Sequence, residues 1–518
     1  MEEETKAIAA LPDDDLAGVL RVLPPRSLAV ARSVCKAWRN IIDARGLLLA
    51  HLLPHSVRGV FVNYIDHDRP HLFSRPCSSS TFPGIDGLLS FVPNDDNRRD
   101  WWTVLDHCNG LVLCNINWES QLCVCNPATQ RWTILPEDNT ELSRRLPCAY
   151  IAFDPIVSPH DEVFLIPDVP EKPKTTAPSV QPQAEQMIDE PFYLDWLFPS
   201  PEGAADQADE YQQDPHRFTE WPPSPWSLKV FSSRTRQWED RSFVRESQPV
   251  GTVEEMRLHP HEPTWQGPRQ RYAVYHNGGH YVHCRGSFVA RFSLSNDKYQ
   301  VIKMPIEEKD VKSYLGRSKD GVCFGIVYNQ QLRVWKLSDS CGNMEWLLKY
   351  EANIMLYASY IAALPYTNGR QPDGSWMVEE DNSENETGSE ESIECDSDSD
   401  EYNSDVSDID ENIETKSNES IEWDSDNDDI ITVEAKGNER AWERLTILGF
   451  HPYKEVVFLV GWFGIACYHF NSSKVQYLGN SRPKCYYRNH TNGIYESFVY
   501  TPCMIGDLLD GDNTGHEL

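Results

Sequence analysis

Three histidines lie close together in the sequence and are its strongest candidates for a metal site. His276, His280 and His283 flank Asn277-Gly278, a pair that favours a tight turn with positive φ. Such a turn would bring His276 near His280, but no carboxylate or cysteine at a firm spacing completes a ligand set. The sequence therefore predicts neither a metal nor a cofactor, and the simpler interpretation is a hairpin that happens to contain histidines.

The spacing of the cysteines and the absence of known catalytic motifs also argue against an active site. The chain has 14 cysteines but no C-x-x-C pair, and scattered thiols of this kind are typical of a reducing compartment. No nucleophile motif, phosphate-binding glycine loop or dinucleotide-binding fingerprint occurs in it. We therefore expect a protein that is not an enzyme and acts through protein contacts.

Charge is distributed unevenly along the chain. Residues 379–430 hold 23 Asp and Glu against one Lys, and so carry 22 of the 33 net negative charges. Such a balance repels phosphate backbones and makes nucleic acid an unexpected partner. Ser383, Ser397, Ser407 and Ser425 each precede an acid by three residues, which suits acidophilic kinases. The simpler interpretation of the tract is a solubilising segment.

Residues 11–52 predict a small helical unit. Acids at 13–15 suit a first helical turn, and leucines follow at helical spacing until Pro24-Pro25 ends the helix. A second apolar stripe runs from Leu28 to Ile42, with a bend near Ser33. About forty residues are too few to bury a full core. A unit of this size usually needs a partner surface.

From about residue 57 the pattern changes to short strands. One unit recurs, consisting of an apolar strand, a polar turn and an aromatic residue at the start of the return strand. Roughly 40–50 residues per four-stranded blade predict a propeller of six or seven blades, which would also remove exposed sheet edges. The recurring aromatic residues, expected to pack within blades, are Trp132, Trp238, Tyr299, Trp346 and Tyr477.

The composition divides the chain into eight segments. We expect a small all-α unit, then an all-β propeller interrupted by two long disordered inserts. The segments are a disordered start at 1–10, the helical unit at 11–52, propeller parts at 57–167, 226–370 and 437–505, a Pro/Gln-rich insert at 168–225, an acidic Ser/Asp-rich insert at 371–436, and a disordered tail at 506–518.

Neither a signal peptide nor a membrane helix is predicted. Residues 1–10 are acidic, and the most apolar run is shorter than the roughly 20 residues that a membrane helix needs. We expect localisation in the cytoplasm, the nucleus or both.

The first fifty residues resemble the F-box. The resemblance rests on Leu11-Pro12, the acidic cap, the leucines that follow, and the run from Val34 to Arg39. It implies that the helical unit binds a Skp-type adaptor and, through it, a cullin. The adaptor-binding residues implied are Leu11, Pro12, Leu16, Val19, Leu20, Leu23, Pro24, Leu28, Val34 and Trp38.

The β region resembles the F-box-associated, kelch-like propeller of plant F-box proteins. The matching residues are the run Cys108-Asn109-Gly110-Leu111 and the run from Asn126 to Pro136. This resemblance implies that the propeller binds a target protein, although the sequence does not identify the target-binding residues.

Two functions from different classes follow from these resemblances. The first is the substrate-recognition subunit of an SCF-type (Skp-cullin-F-box) ubiquitin ligase. The alternative is an interaction scaffold that uses the propeller and the acidic tract without ubiquitin transfer. The leucine stripe could also pack against the propeller. The basic residues Arg32, Lys36 and Arg39 could face either solvent or an acidic adaptor surface.

Overall fold

The fold was analysed in a computed structural model. It describes residues 12–23, 25–48, 53, 56–65, 67, 69–76, 85–92, 102–116, 121–137, 148–170, 214, 216–258, 272–306, 312–340, 342–355, 357–358, 375–379, 445–484, 486 and 493–504.

Three short helices form the amino-terminal unit: α1 at Asp13–Arg21, α2 at Pro25–Val34 and α3 at Lys36–Ala44. Acids 13–15 occupy the first turn of α1, where they complement the helix dipole. The extended backbone of Cys35 separates α2 from α3, and its sulfur accepts a hydrogen bond from the Trp38 backbone N–H. No helix in the described part of the chain is long and apolar enough to cross a membrane.

Strands make up most of the remainder. A further short helix, α4, spans Val253–Arg257. The strands are β1 Gly59–Tyr64, β2 His71–Ser74, β3 Thr103–Cys108, β4 Leu111–Ile116, β5 Gln121–Asn126, β6 Arg131–Ile134, β7 Cys148–Ala152, β8 Glu162–Ile166, β9 Glu220–Trp221, β10 Trp226–Ser232, β11 Gln237–Arg245, β12 Gly251–Thr252, β13 Ala273–His276, β14 Gly279–Cys284, β15 Phe288–Ser293, β16 Lys298–Lys303, β17 Ser313–Ser318, β18 Gly321–Tyr328, β19 Gln331–Ser340, β20 Asn343–Asn353, β21 Met377–Val378, β22 Thr446–Phe450, β23 Val456–Gly461, β24 Gly464–His469, β25 Lys474–Asn480 and β26 Ile494–Tyr500.

These strands build six four-stranded antiparallel blades, which confirms the predicted propeller. Short apolar strands joined by Asn-Gly and similar turns favour such blades. From the inner to the outer strand, the blades are blade 1 (β26, β1, β2, β21), blade 2 (β3 to β6), blade 3 (β7, β8, β10, β11), blade 4 (β13 to β16), blade 5 (β17 to β20) and blade 6 (β22 to β25).

Blade 1 closes the ring because it combines strands from both ends of the β region. Strand β1 pairs with β26, with Gly59 opposite Tyr500. Its outer strand β21 lies inside the range 371–436 that the sequence assigned to the acidic insert. This strand is held by Trp376, which is buried against Phe73 and Phe458.

Blades 3 and 4 are joined at their outer edges. Strands β11 and β16 pair in parallel, with Val244 opposite Lys298, so the two blades form one eight-stranded sheet. The recurring aromatic residues lie on the outermost strands of five blades. Their burial differs: Tyr299 is 1% exposed and packs inside blade 4, whereas Trp132 is 42% exposed on blade 2.

The two faces of the propeller differ in what they carry. The carboxyl ends of the inner strands meet on one face, where the Cys108 sulfur donates to the Phe153 carbonyl at 3.2 Å. The helical unit lies on this face, because Met504, just beyond β26, packs against its core. Leu53, which follows the helices, packs against the cluster that contains Cys108 and Cys503. We call this side the helix face.

The opposite side, which we call the insert face, carries both predicted inserts. Strand β8 pairs antiparallel with inner strand β7 and therefore ends on this side, before the Pro/Gln-rich range. Strand β21 pairs antiparallel with β2 and leads to the same side at Glu379. Most of both inserts, the start at 1–10 and the tail at 506–518 lie outside the described residues. The predicted domain limits stay predictions.

Candidate functional site

The helical unit has a core of its own, which contains three of the predicted adaptor-binding leucines. Leu16, Leu20 and Leu28 are 4%, 0% and 0% exposed. They pack with Ala17 and Ile42 in the core between the three helices, against which Met504 also packs. Their predicted contact with an adaptor stays a prediction. In the chain alone, their observed role is to hold the helices together.

The other predicted residues are less buried. Val19 and Val34 are each 57% exposed, and Pro12 is exposed. Leu23 and Trp38 are partly buried and pack against the helical core. The two remaining residues in this prediction, Leu11 and Pro24, lie outside the described residues.

Helices α1 and α2 each carry exposed apolar side chains. We define the valine surface as Val19, Val22, Val30 and Val34, which are 57%, 83%, 65% and 57% exposed. Exposed large apolar side chains gathered on so small a unit are typical of an interaction site. Sequence reasoning missed Val22 and Val30. The sequence does contain the signal: Val22 and Val30 are apolar residues at helix positions that lie off the buried leucine stripe.

Polar contacts fix the helices beneath this surface. The Arg32 guanidinium binds both carboxylate oxygens of Asp43, at 2.7 and 3.1 Å, and joins α2 to α3. Arg45 forms an ion pair with Asp14 of α1. Of the three basic residues that the sequence grouped together, Arg32 therefore has an internal role, while Lys36 and Arg39 are exposed.

A small cavity lies on the propeller axis, among the inner strands. It measures about 70 Å³, enough for a few ordered water molecules or one inserted side chain. The rings of Tyr272 and Tyr314 meet in its wall with centroids 4.0 Å apart, and Arg317 lies 5.7 Å from the Tyr453 ring. In the described part of the chain, no three His, Cys, Asp or Glu side chains come together as metal ligands.

The three histidines of the hairpin occupy different environments. His280 is fully buried in blade 4, where its ring stacks on Phe164 at 5.2 Å. Neither ring nitrogen of His280 has a hydrogen-bond partner among the described residues. His276 is only half-buried, near Gly321. His280 therefore acts as a packing residue, and its burial lowers its pKa to about 3.

Replacing His280 with leucine should reduce the acid sensitivity of the fold. In the unfolded chain His280 titrates near its ordinary value of 6.5, but the folded chain takes up its proton only near pH 3. The free energy of unfolding therefore falls by about 1.4 kcal/mol per unit as the pH drops below about 6.5. When the pH is lowered from 7 to 5, the free energy of unfolding should fall by about 2 kcal/mol less in His280→Leu than in the unmodified chain. Urea unfolding at the two pH values measures this difference.

A pH slope for His280→Leu equal to that of the unmodified chain would contradict the assignment of His280 as a buried packing residue.

Comparison with known proteins identifies the helical unit. Residues 8–49 match the F-box domain family. Three curated proteins of Arabidopsis thaliana are similar to parts of the chain. One F-box protein is 28% identical over 123 residues, covering 23% of this chain and 30% of its own length. Another F-box protein is 22% identical over 187 residues, which cover 36% of this chain and 47% of that protein's length.

The name of the third relative includes the kelch repeat, which agrees with the β fold described above. It is an F-box/kelch-repeat protein, 26% identical over 153 residues, which covers 28% of this chain and 42% of its own length. The chain spans less than half the length of each of these relatives. The chain contains an F-box domain, and it is similar over part of its length to plant F-box proteins.

Proposed function

We propose that this protein is the substrate-recognition subunit of an SCF-type ubiquitin ligase. F-box domains generally bind Skp-type adaptors, which link them to a cullin. The observation that carries the proposal is the valine surface, because it leaves apolar side chains uncovered on a domain whose own core is already formed.

The adaptor would cover the valine surface. Burying apolar area stabilises an interface by about 25 cal/mol per Å², so four valines contribute substantially to affinity. Lys36 and Arg39, exposed at the start of α3, would add electrostatic complementarity to an acidic adaptor. The buried leucines support this surface from beneath.

The target would bind the propeller on the insert face. The helical unit lies on the helix face and directs the adaptor to that side. The insert face is the opposite side, and both long inserts leave from it. Holding a target there would raise the effective concentration of its lysines near the ubiquitin-conjugating enzyme. No residue of this chain is assigned a catalytic role.

Co-purification with a Skp-type adaptor tests the proposal. The double variant Val19→Asp and Val30→Asp places two charges on exposed positions and should leave the helices folded. The adaptor should be lost, with affinity reduced by at least about 100-fold, because each buried valine contributes about 1.5 kcal/mol or more and each carboxylate would be desolvated without a partner.

Val244→Asp is the matched control, since Val244 is 53% exposed but lies on β11 of blade 3. It should retain the adaptor fully. Adaptor binding that survives the double variant at normal strength would show that the valine surface is not the interface.

The alternative function, a scaffold that does not transfer ubiquitin, makes a different prediction. A scaffold would still bind partners through the propeller, but it would not co-purify with a cullin. Recovery of adaptor and cullin together, lost in the double valine variant, favours the ligase subunit.

A further inference from the structure

The cavity on the propeller axis, which we call the axial cavity, extends to the helix face. Its walls include Asn109, Pro452 and Thr501, which lie just beyond the inner strands β3, β22 and β26. The inner strands end on the helix face, so these residues mark that end of the cavity. Asn109 and Pro452 are only half-buried, so solvent reaches the cavity from this side.

Arg317 lies in the wall near this end of the cavity, one residue before β17 ends. It is half-buried, and its guanidinium lies 5.7 Å from the centroid of the Tyr453 ring. Among the described residues, no carboxylate or carbonyl oxygen accepts a hydrogen bond from its side chain. A guanidinium presents its N–H donors as a planar fork that matches a carboxylate. The fold therefore leaves this fork unused.

The charge of Arg317 acts on groups that belong to other blades. Burial lowers the pKa of His276 on blade 4, and the Arg317 charge lowers it further. Burial raises the pKa of the Cys108 thiol on blade 2, and the same charge opposes that rise. It also opposes the rise that burial causes in the pKa of Tyr453, next to blade 6. Since these blades surround the axis, the guanidinium faces the axial cavity.

A second polar group in the wall is left without a partner. Tyr272 is 5% exposed, and its hydroxyl has no hydrogen-bond partner among the described residues. The hydroxyl of the neighbouring Tyr314, by contrast, donates to the Ser497 carbonyl at 3.2 Å. A buried hydroxyl without a partner is costly, so Tyr272 indicates that the axial cavity takes a polar occupant.

The size of the cavity and the single guanidinium restrict what that occupant is. About 70 Å³ accepts the end of one side chain but not a folded segment. A phosphate monoester would bring nearly two negative charges and three acceptor oxygens to one arginine. A carboxylate brings one charge and two oxygens, which the fork of Arg317 binds as a pair.

A carboxylate of the chain itself also lines the cavity. Asp106 accepts a hydrogen bond from the Ile151 N–H at 2.9 Å, which directs that oxygen between blades 2 and 3. Its negative charge disfavours a doubly charged ligand more than a singly charged one. The wall therefore selects a single carboxylate over a phosphate.

We propose that the axial cavity binds the carboxylate of one aspartate or glutamate side chain, which enters from the helix face and pairs with Arg317. This inference goes beyond the proposed function, because it assigns a binding site on the side of the propeller that carries the helical unit.

Two sources can present such a side chain on the helix face. One is a separate protein. The other is this chain, because Met504 packs against the helical unit on the helix face and residues 505–518 follow it. These residues lie outside the described part of the chain. Their sequence contains Asp507, Asp510, Asp512 and Glu517 but no lysine or arginine.

Saturation-transfer NMR with the full chain tests the site. The probe is a glutamate whose amino and α-carboxyl groups are blocked as amides, and the matched probe is the corresponding blocked glutamine. The glutamate probe should bind, and the glutamine probe should not. Arg317→Met keeps an apolar chain beside the Tyr453 ring and should weaken binding by at least about tenfold. Arg317→Lys, which keeps the charge without the fork, should bind with intermediate affinity.

Arg234→Met is the matched control. Arg234 is exposed in the turn after β10, which the strand directions place on the helix face. This variant removes the same charge and should leave the affinity for the glutamate probe unchanged. Equal weakening by Arg317→Met and Arg234→Met would overturn the proposal, as would equal binding of the two probes. Inorganic phosphate that displaced the glutamate probe at a lower concentration than free blocked glutamate would overturn the choice of a carboxylate.

A further variant of the full chain distinguishes the two sources. It replaces Asp507, Asp510 and Asp512 with asparagine and Glu517 with glutamine. If this chain's own segment occupies the cavity, the variant should bind the glutamate probe more tightly than the unmodified chain, because a tethered carboxylate competes at high effective concentration. Equal affinity of the two chains would assign the site to a separate protein. Absence of binding to both chains would overturn the site.

Adaptor co-purification separates this site from the proposed function. Arg317→Met changes the propeller axis and leaves the valine surface intact, so it should retain the adaptor. Loss of probe binding without loss of the adaptor is the expected result. Loss of the adaptor in Arg317→Met would show that the substitution disturbs the seating of the helical unit, and the assignment of Arg317 to a ligand site would be wrong.

Discussion

Replacing Gly110 with alanine should destabilise the propeller by about 3 kcal/mol or more. Gly110 forms the turn between β3 and β4 with a φ of +92°, a backbone conformation that residues with a side chain rarely adopt. A Cβ added there would lie 2.3 Å from the Cβ of Cys503 and 2.5 Å from its backbone nitrogen. Since backbone cannot move away as a flexible side chain can, either the turn or the carboxy-terminal segment must shift.

The consequence should extend beyond blade 2. Cys503 follows β26, the strand that closes the ring, and its carbonyl accepts a hydrogen bond from the Asn126 amide at 2.9 Å. Met504, the next residue, packs against the helical unit. We therefore expect Gly110→Ala to lower the urea midpoint of the β domain and to loosen the seating of the helices. Tryptophan fluorescence measures the first effect, and hydrogen exchange measures the second.

Gly278 provides a matched control for this substitution. It forms the equivalent Asn-Gly turn in blade 4 with a φ of +73°, but a Cβ there would meet nothing within 4 Å. Gly278→Ala should cost only the backbone strain, about 1 kcal/mol. If the two alanine variants had the same midpoint, the close approach to Cys503 would not be the reason for glycine at position 110.

The sequence was sufficient to predict the class of fold and most of its elements. The helical unit, the break between its second and third helices and the propeller all follow from apolar periodicity and turn residues. Six blades lie within the predicted range. Periodicity succeeds here because blades 2, 4, 5 and 6 are local hairpin arrays whose contacts join residues close in sequence.

Features that depend on distant contacts were not predicted. Strand β21 has only two residues, next to an acidic tract, so no alternation marks it. Its position depends on Trp376, which reaches blades 1 and 6. The parallel pairing of β11 with β16 likewise joins two blades and leaves no local signal.

At the candidate site, too, the sequence pattern does not show which contacts individual residues make. A helical stripe indicates which leucines share a face, but not what covers that face. The resemblance assigned Leu16, Leu20 and Leu28 to an adaptor contact, which stays a prediction, and the structure adds that they form the core between the three helices. The exposed Val22 and Val30 were overlooked because helical periodicity directs attention to the stripe.

Replacing Leu20 with alanine should unfold the helical unit while the propeller stays folded. Leu20 is 0% exposed, and the cavity left by a buried leucine costs about 2–5 kcal/mol. Nine buried apolar residues form the core in the described part of this unit, so a loss of that size is a large fraction of its stability. Hydrogen exchange should show loss of protection across residues 12–48, with blades 2 to 6 unchanged.

Comparing Leu20→Ala with Val30→Ala distinguishes a residue that stabilises the helical unit from one that contacts the adaptor. Val30→Ala removes an exposed side chain and should change stability by less than about 0.5 kcal/mol, yet it should weaken adaptor binding. Leu20→Ala should lose the adaptor because the helices that carry the valine surface are no longer held together. If Leu20→Ala kept full protection of the helices and still lost the adaptor, Leu20 would be a contact residue, as the sequence first suggested. If Val30→Ala bound normally, the interface would have to lie on another part of the unit.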